Sequence, residues 1–173
     1  MSGETGWPAS EHLIAVDLGA APDRPLSRDA EHERAVAVYD LLQENRFSLP
    51  GHAGPYRLRL NLADRQLFFE VGNEFGEPLK TVGLALSPFR RVLRDYLRIV
   101  ESYHEAIRSA AAHRIEPIDM ARRGVHDEGA ALLRERLAGK IEVDWQTARR
   151  LFTLINVLHW QGRQGQAFSQ SPP

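Results

Sequence analysis

Residues 56–86, with the sequence YRLRLNLADRQLFFEVGNEFGEPLKTVGLAL, decide the fold class of this chain. Three runs in this stretch, at 56–62, 67–71 and 81–86, place apolar side chains at every second position, which is the period of a strand with one buried face. Short turns at Ala63-Asp64 and at residues 73–76 separate the runs, and turns of this length join antiparallel neighbours. The stretch therefore predicts a three-stranded antiparallel meander.

One further strand and one helix are predicted before the meander. Residues 12–18 alternate in the same way and end in a loop rich in Gly and Pro. Asp29 is a suitable N-cap for a helix over residues 31–45, because carboxylates follow it in the first turn. The predicted buried positions are Ile14, Val16 and Leu18 in the strand, and Ala35, Val38, Tyr39 and Leu42 in the helix.

After the meander the chain is predicted to be helical. Ser87-Pro88 starts a second helix and Pro117 starts a third that stops at Gly139, since Pro favours the first helical position and Gly the residue after the last. Asp144 caps a fourth helix that is apolar on nearly every side after Arg150. A helix of that kind is either central or an interface, so the sequence also predicts a possible homodimer through this last helix.

Strands followed by helices indicate an α+β fold. We predict an antiparallel sheet of about four strands, made of the N-terminal strand and the meander, packed against about four helices. A chain of 173 residues has the length of one domain, which we place at residues 12–162. Residues 1–11 and 163–173, which are rich in Gly, Ser, Gln and Pro, are predicted to be flexible tails.

The composition excludes several kinds of chemistry. The chain has 20 arginines, 2 lysines, a net charge of −1 and no cysteine, so it has no thiolate nucleophile, disulfide or thiolate metal site. It also lacks the phosphate-loop, dinucleotide, zincin and hydrolase motifs, and we therefore expect no cofactor. We expect no metal either, because His126 has no second histidine at helical spacing.

The sequence predicts a cytoplasmic protein that engages neither membranes nor nucleic acids. Its N-terminus carries no secretory signal, and its longest apolar run, at residues 151–160, is far shorter than the about twenty residues of a membrane span. A net charge near zero gives no electrostatic basis for binding nucleic acid, and the apolar last helix does not fit a recognition helix.

Arginine residues form adjacent pairs near the starts of three predicted helices, at Arg90-Arg91, Arg122-Arg123 and Arg149-Arg150. Guanidinium groups and helix N-termini both attract anions, so these six residues are candidates for binding a phosphate or carboxylate if the three helix starts converge. The alternative is that they pair with nearby carboxylates and cover apolar surface with their stems. The sequence leaves both readings open.

Asp119 and His126 are the candidate catalytic residues. They lie two turns apart on the third predicted helix beside Arg122 and Arg123, so one side of that helix presents an acid, a base and cations. In this hypothesis His126 acts as a general base and Asp119 orients it. The alternative is an ordinary helix of mixed charge, since the sequence places no nucleophile beside the histidine.

Five segments carry a family resemblance: EHERAVAVYDLLQENRF (31–47), PYRLRL (55–60), LSPFRRVLRDY (86–96), ESYHEAIR (101–108) and ERLAGKIEVDWQTARRLFTLINVLHW (135–160). On these segments the chain resembles the bacterial Uncharacterised Protein Family 0262 over residues 12–162. In that family Asp127 is commonly asparagine and Asn156 commonly cysteine, so a shared function need not depend on them. The resemblance implies a small cytoplasmic bacterial protein and brings no activity, cofactor or catalytic residue with it.

Two functions follow from these observations. The first is a non-enzymatic accessory or binding protein that recognises an anionic small molecule or a protein partner, because arginines at helix starts occur without a catalytic motif. The alternative is an enzyme that acts on a phosphorylated or carboxylated metabolite with His126 as general base. The sequence does not decide between them, and it identifies no ligand.

Overall fold

The structure is a computed structural model that describes residues 6–19 and 27–167. Residues 1–5 and 168–173 of the predicted tails, and residues 20–26 of the predicted loop, lie outside the described residues. The last helix continues into the predicted C-terminal tail as far as Ala167. In chain order the elements are β1 (Leu13–Leu18), α1 (Arg28–Gln43), β2 (Phe47–Ser48), β3 (Tyr56–Ala63), β4 (Gln66–Asn73), β5 (Pro78–Ala85), a 3-10 helix (Ser87–Phe89), α2 (Arg90–Arg108), α3 (Ala112–Leu137), β6 (Glu142–Val143) and α4 (Trp145–Ala167).

Four strands form the main sheet in the order β1-β3-β4-β5. The neighbours β3, β4 and β5 are antiparallel, which confirms the predicted meander, and β1 runs parallel to β3. Alternate residues along most of the meander are buried in the core, while the residues between them are partly or fully exposed. The α+β prediction is therefore confirmed, and the buried residues on the sheet are Tyr56, Leu58, Leu60, Leu67, Phe69, Val71, Val82 and Leu84.

The buried side of β1 differs from the prediction at one residue. The pairing of β1 with β3 shifts register between Leu13 and Ala15, and such an irregularity changes which side chains face the core. Leu13 is buried before the shift, and Val16 and Leu18 pack against the core after it. Ile14 is consequently 38% exposed, and its predicted burial is wrong.

Helix α1 has a different cap and a different buried face from those predicted. Ser27 caps it, since its Oγ accepts a hydrogen bond of 3.2 Å from the Ala30 amide, and Asp29 lies inside the first turn. Three residues of the predicted stripe, Ala35, Tyr39 and Leu42, are exposed, with Tyr39 66% exposed, while Val38 is partly buried against the core. The residues of α1 that are buried are Ala30, Ala37 and Leu41.

The starts of α2 and α3 also differ from the prediction. Ser87-Pro88 opens the 3-10 helix that leads into α2, but the residue at its N-cap position is Leu86, which makes no side-chain capping hydrogen bond. Pro117 lies inside α3, because a tight turn in which Ala110 has a φ of 56° leads directly into a helix that begins at Ala112. Pro117 lacks an amide hydrogen, so it removes one hydrogen bond near the start of α3.

Helix α4 lies at the centre of the helical layer. Its residues 151–158 are all buried, and it packs against α1, α2, α3 and β3. Asp144 caps it as predicted, since Asp144 Oδ1 accepts a hydrogen bond of 3.0 Å from the Thr147 amide. The apolar character of α4 is thus accounted for by packing within the chain. In the part of the chain that the structure describes, no helix is long and apolar enough to cross a membrane.

Gly129 allows α3 to lie close to α4. A Cβ atom placed on Gly129 would lie 2.4 Å from Cζ of Phe152, which is itself fully buried and has no room to move. A Cβ atom on Gly124, in the same helix, would have nothing within 4 Å. The two glycines therefore have opposite consequences for stability.

We expect Gly129→Ala to destabilise the protein by about 1–3 kcal/mol, because the added methyl group overpacks the contact with Phe152. The matched control Gly124→Ala should be neutral or stabilise by up to about 1 kcal/mol, since alanine is the better helix former. Urea unfolding of both variants measures the difference. Equal effects of the two substitutions would contradict this account of the α3–α4 contact.

Candidate functional site

A pocket with a volume of about 240 Å³ lies between α1, α3 and α4. We call it the three-helix pocket. Each helix contributes residues at three- and four-residue spacing, which places them on one face of that helix. The lining residues are Glu33, Val36, Ala37 and Asp40 from α1, Arg122 and His126 from α3, and Gln146, Arg149, Arg150 and Thr153 from α4.

The arginines that line the pocket differ in their partners. Arg122 Nη2 lies 3.6 Å from Glu33 Oε1, and Arg149 Nε lies 3.5 Å from Asp127 Oδ1. Arg150 Nη1 donates a 3.1 Å hydrogen bond to a backbone carbonyl, that of Glu44 at the end of α1. The side chains of Arg122 and Arg149 are only 32% and 28% exposed, so water screens their charges less than it screens fully exposed cations.

His126 faces the pocket from α3 and is held by α4. Its Nε2 lies 2.7 Å from Thr153 Oγ1, and that hydroxyl lies 3.3 Å from the Arg149 carbonyl oxygen. Because a hydroxyl has one hydrogen, which it donates to the carbonyl, its oxygen accepts a hydrogen bond from Nε2–H. This pattern leaves Nδ1 as the unprotonated nitrogen of the neutral ring.

The surroundings of His126 lower its pKa from 6.5 to about 4. Burial is the main cause, since it disfavours the charged form, and the charges of Arg149 and Arg122 act in the same direction. The Arg149 carbonyl and the Asp127 carboxylate oppose them more weakly. The imidazole is therefore neutral at pH 7, and an anion bound beside it would raise its pKa.

Tyr96 of α2 packs against the inner side of His126. Its ring centroid lies 5.7 Å from that of His126 and 6.2 Å from that of Trp160, and the ring is fully buried in the core. Its hydroxyl is buried and has no hydrogen-bond partner among the described residues. Burial is the main cause that raises the pKa of Tyr96, and the charge of Glu33 raises it further, while the charge of Arg122 lowers it. A neutral phenol thus lies next to the pocket residues.

The structure brings together four of the predicted site residues: Arg122, Arg149, Arg150 and His126 all line the three-helix pocket. Asp119 does not contact the imidazole that it was expected to orient, because its carboxylate is ion-paired with Arg123 at 3.1 Å. The hydrogen-bond partner of His126 on α4 is the hydroxyl of Thr153.

The other three arginines lie outside the pocket. Arg123 is 72% exposed and pairs with Asp119, and Arg90 is exposed on α2. Arg91 pairs with Asp95 at 3.5 Å and also with Glu128, so it links α2 to α3. Arg91 and Arg123 are therefore paired with carboxylates, which the sequence analysis gave as the alternative to anion binding.

Sequence reasoning missed six of the ten residues that line the pocket, among them Glu33, Asp40 and Thr153. Glu33 and Asp40 lie seven residues apart, which places both on one face of α1, and Thr153 lies one turn after Arg149 on α4. Their spacing was visible in the sequence. Their relation to Arg122 and His126 was not, because it depends on how three helices pack.

The described residues contain no group of three or more His, Asp or Glu side chains that is arranged to hold a metal ion.

The fold and the pocket define a small α+β protein with a site of mixed charge between helices. The family model described as Uncharacterised protein family (UPF0262) matches residues 10–161, and the chain belongs to this bacterial family.

Curated relatives support the same assignment. A UPF0262 protein of Rhizobium johnstonii is 59% identical over 135 residues, which cover 78% of this chain and 86% of the relative. A UPF0262 protein of Brucella anthropi is 54% identical over 152 residues, covering 87% and 94% of the two chains. One from a Bradyrhizobium species is 50% identical over 155 residues, covering 88% and 92%. No solved structure matches the chain at a significant level.

Acid is expected to destabilise the protein partly through His126. Its pKa is 6.5 in the unfolded chain and about 4 in the fold, so between these values the unfolded state binds the additional proton. The stabilisation is fully present above pH 6.5 and is lost as the pH falls to about 4, a total of about 3 kcal/mol.

Urea unfolding at neutral pH and at about pH 4, for the wild type and for His126→Gln, measures this contribution. The variant should lose about 3 kcal/mol less than the wild type over that range, because glutamine does not titrate. Parallel losses in the two proteins would show that His126 is not held neutral in the fold.

Proposed function

We propose that this protein is a non-enzymatic binding protein that holds a small anionic metabolite in the three-helix pocket. The observation that carries the proposal is that Arg122, Arg149 and Arg150, from two of the three arginine pairs, line one pocket. Guanidinium groups bind carboxylates and phosphates by charge-assisted hydrogen bonds, which are stronger than neutral ones. A partly buried set of three guanidinium groups is therefore suited to one anionic group.

The position of the pocket on α4 supports the proposal. Arg149 and Arg150 lie in the second turn of α4, which begins at Trp145, so they are near the end of the helix whose dipole favours a negative charge. The neutral His126 and the Tyr96 hydroxyl beside the pocket add polar groups without adding negative charge. The volume of about 240 Å³ lies below the roughly 300–1,000 Å³ of pockets for drug-sized ligands, so the expected ligand is small.

Catalysis in the same pocket is the second candidate, and the position of His126 is the observation that favours it. The imidazole lies beside the arginines and is unprotonated at pH 7, so it is available as a base. A pKa of about 4 makes it a weak base, however, and among the described residues no carboxylate is hydrogen-bonded to its ring. Turnover of a phosphate ester that is lost in His126→Gln would favour the enzyme over the binding protein.

Recognition of a protein partner, including a second copy of this chain, rests on a different surface. Val36, Tyr39 and Leu42 of α1 expose 44%, 66% and 36% of their surfaces, and exposed apolar residues that lie together mark interaction sites. A homodimer through α4 would have to form although residues 151–158 are covered within the chain. Gel filtration coupled to light scattering gives the oligomeric state directly.

The test of the proposed function is binding of a panel of small anions, with inorganic phosphate, propionate and succinate as probes, measured by calorimetry. We expect at least one to bind, and Arg150→Gln to weaken it by about tenfold or more, because one charge-assisted hydrogen bond is lost. Thermal stabilisation should accompany binding, by about 2.7 kcal/mol at 100 times the dissociation constant.

Arg123→Gln is the matched control, because Arg123 is next to a pocket arginine but is 72% exposed and paired with Asp119. It should leave binding unchanged. If no anion binds the wild type, or if Arg123→Gln and Arg150→Gln weaken binding equally, the three-helix pocket is not an anion site.

A further inference from the structure

The charges of the three-helix pocket are not all of one sign. Three arginines line it together with two carboxylates, Glu33 and Asp40. Glu33 is paired with Arg122, and Arg149 is paired with Asp127. Among the residues that line the pocket, Arg150 is then the one cation and Asp40 the one carboxylate without a charged partner.

Arg150 and Asp40 face the same pocket without neutralising each other. The Arg150 side chain is held by the Glu44 carbonyl, and the Asp40 carboxylate has no hydrogen bond and no ion pair among the residues that the structure describes. Both side chains are half-buried, so each gives up part of its hydration without gaining a charged partner. Two opposite charges that line one small pocket without pairing with each other are complementary to a ligand that carries both charges.

A simple anion does not use Asp40. The carboxylate would repel such a ligand and weaken its binding, so its position beside three arginines favours a ligand with an additional positive group over phosphate or acetate alone. Val36 and Ala37 form an apolar wall on the same face of α1, which suits a short carbon skeleton between the two charged ends.

We propose that the ligand of the three-helix pocket is a short zwitterion, such as a small amino acid or a phosphorylated amine. Its carboxylate or phosphate binds Arg150 together with Arg122 and Arg149, and its ammonium group binds Asp40. This inference rests on the proposed function, since it specifies the ligand of the same pocket, and it adds Asp40 as the residue that determines specificity.

The experiment compares ligands that differ only in the ammonium group. L-alanine is paired with propionate, and phosphoethanolamine with ethyl phosphate, and the dissociation constants are measured by calorimetry on the full chain. In at least one pair the zwitterion should bind about tenfold or more tightly than its partner, because only the zwitterion gains the charge-assisted contact with Asp40.

Asp40→Asn should remove that preference, since an amide of the same shape carries no charge, and it should leave the affinity for the simple anion unchanged or higher. Asp29→Asn is the matched control: its side chain is exposed in the first turn of the same helix, outside the pocket, and the preference should persist. Thermal midpoints of the two variants confirm that each remains folded.

The possible failures are distinguishable. Equal binding of both members of each pair, or a preference that survives Asp40→Asn, overturns the zwitterion while anion binding by the arginines stands. Binding of neither member of any pair overturns both. Arg150→Gln should weaken both members of a pair alike, in contrast to Asp40→Asn.

Discussion

The rest of the structure depends on the burial of α4 on all sides. Residues 151–158 are eight consecutive buried positions, so no face of this part of the helix is left for solvent. The sheet, α1, α2 and α3 must all lie against it, and the short distance to α3 is possible only because Gly129 leaves room for Phe152. A helix in this position fixes the relative placement of every other helix.

The site lies where this burial ends. At the start of α4 the side chains change from apolar to charged, and Arg149, Arg150 and Thr153 reach the space between α1 and α3. Because the neighbouring helices hold these groups partly out of water, their interactions are stronger than on an open surface, and the same environment lowers the pKa of His126 to about 4. The helices that bury α4 thus also exclude water from the pocket and strengthen its electrostatic interactions.

Local chemistry made much of the fold predictable. The alternation in residues 56–86 defines the meander, and Asp144 caps α4 because an N-cap needs only its own side chain and the next turn. Tertiary packing determines the features that were missed. Nothing in the local sequence shows that α1 buries Ala37 and Leu41 while Tyr39 points outward.

The site, like the fold, combines features that the local sequence predicts with features that depend on tertiary packing. Arg122, Arg149, Arg150 and His126 were candidates because of their residue types and their places on helices. Helix α1 adds Glu33 and Asp40 to the pocket, and Asp119 pairs with Arg123 instead of contacting His126. These features depend on how the helices pack against each other, and the spacing of residues within one helix does not show that. The sequence identifies the candidate arginines, and the fold determines which of them line the same pocket.

A titration of the ¹⁵N-labelled protein with inorganic phosphate, followed through the Nε–H signals of its arginines, tests the central claim most directly. The account predicts that the signals of Arg122, Arg149 and Arg150 shift together and saturate, while those of Arg90 and Arg123 do not. Shifts of similar size at all arginines, or none at the three pocket arginines, would contradict it.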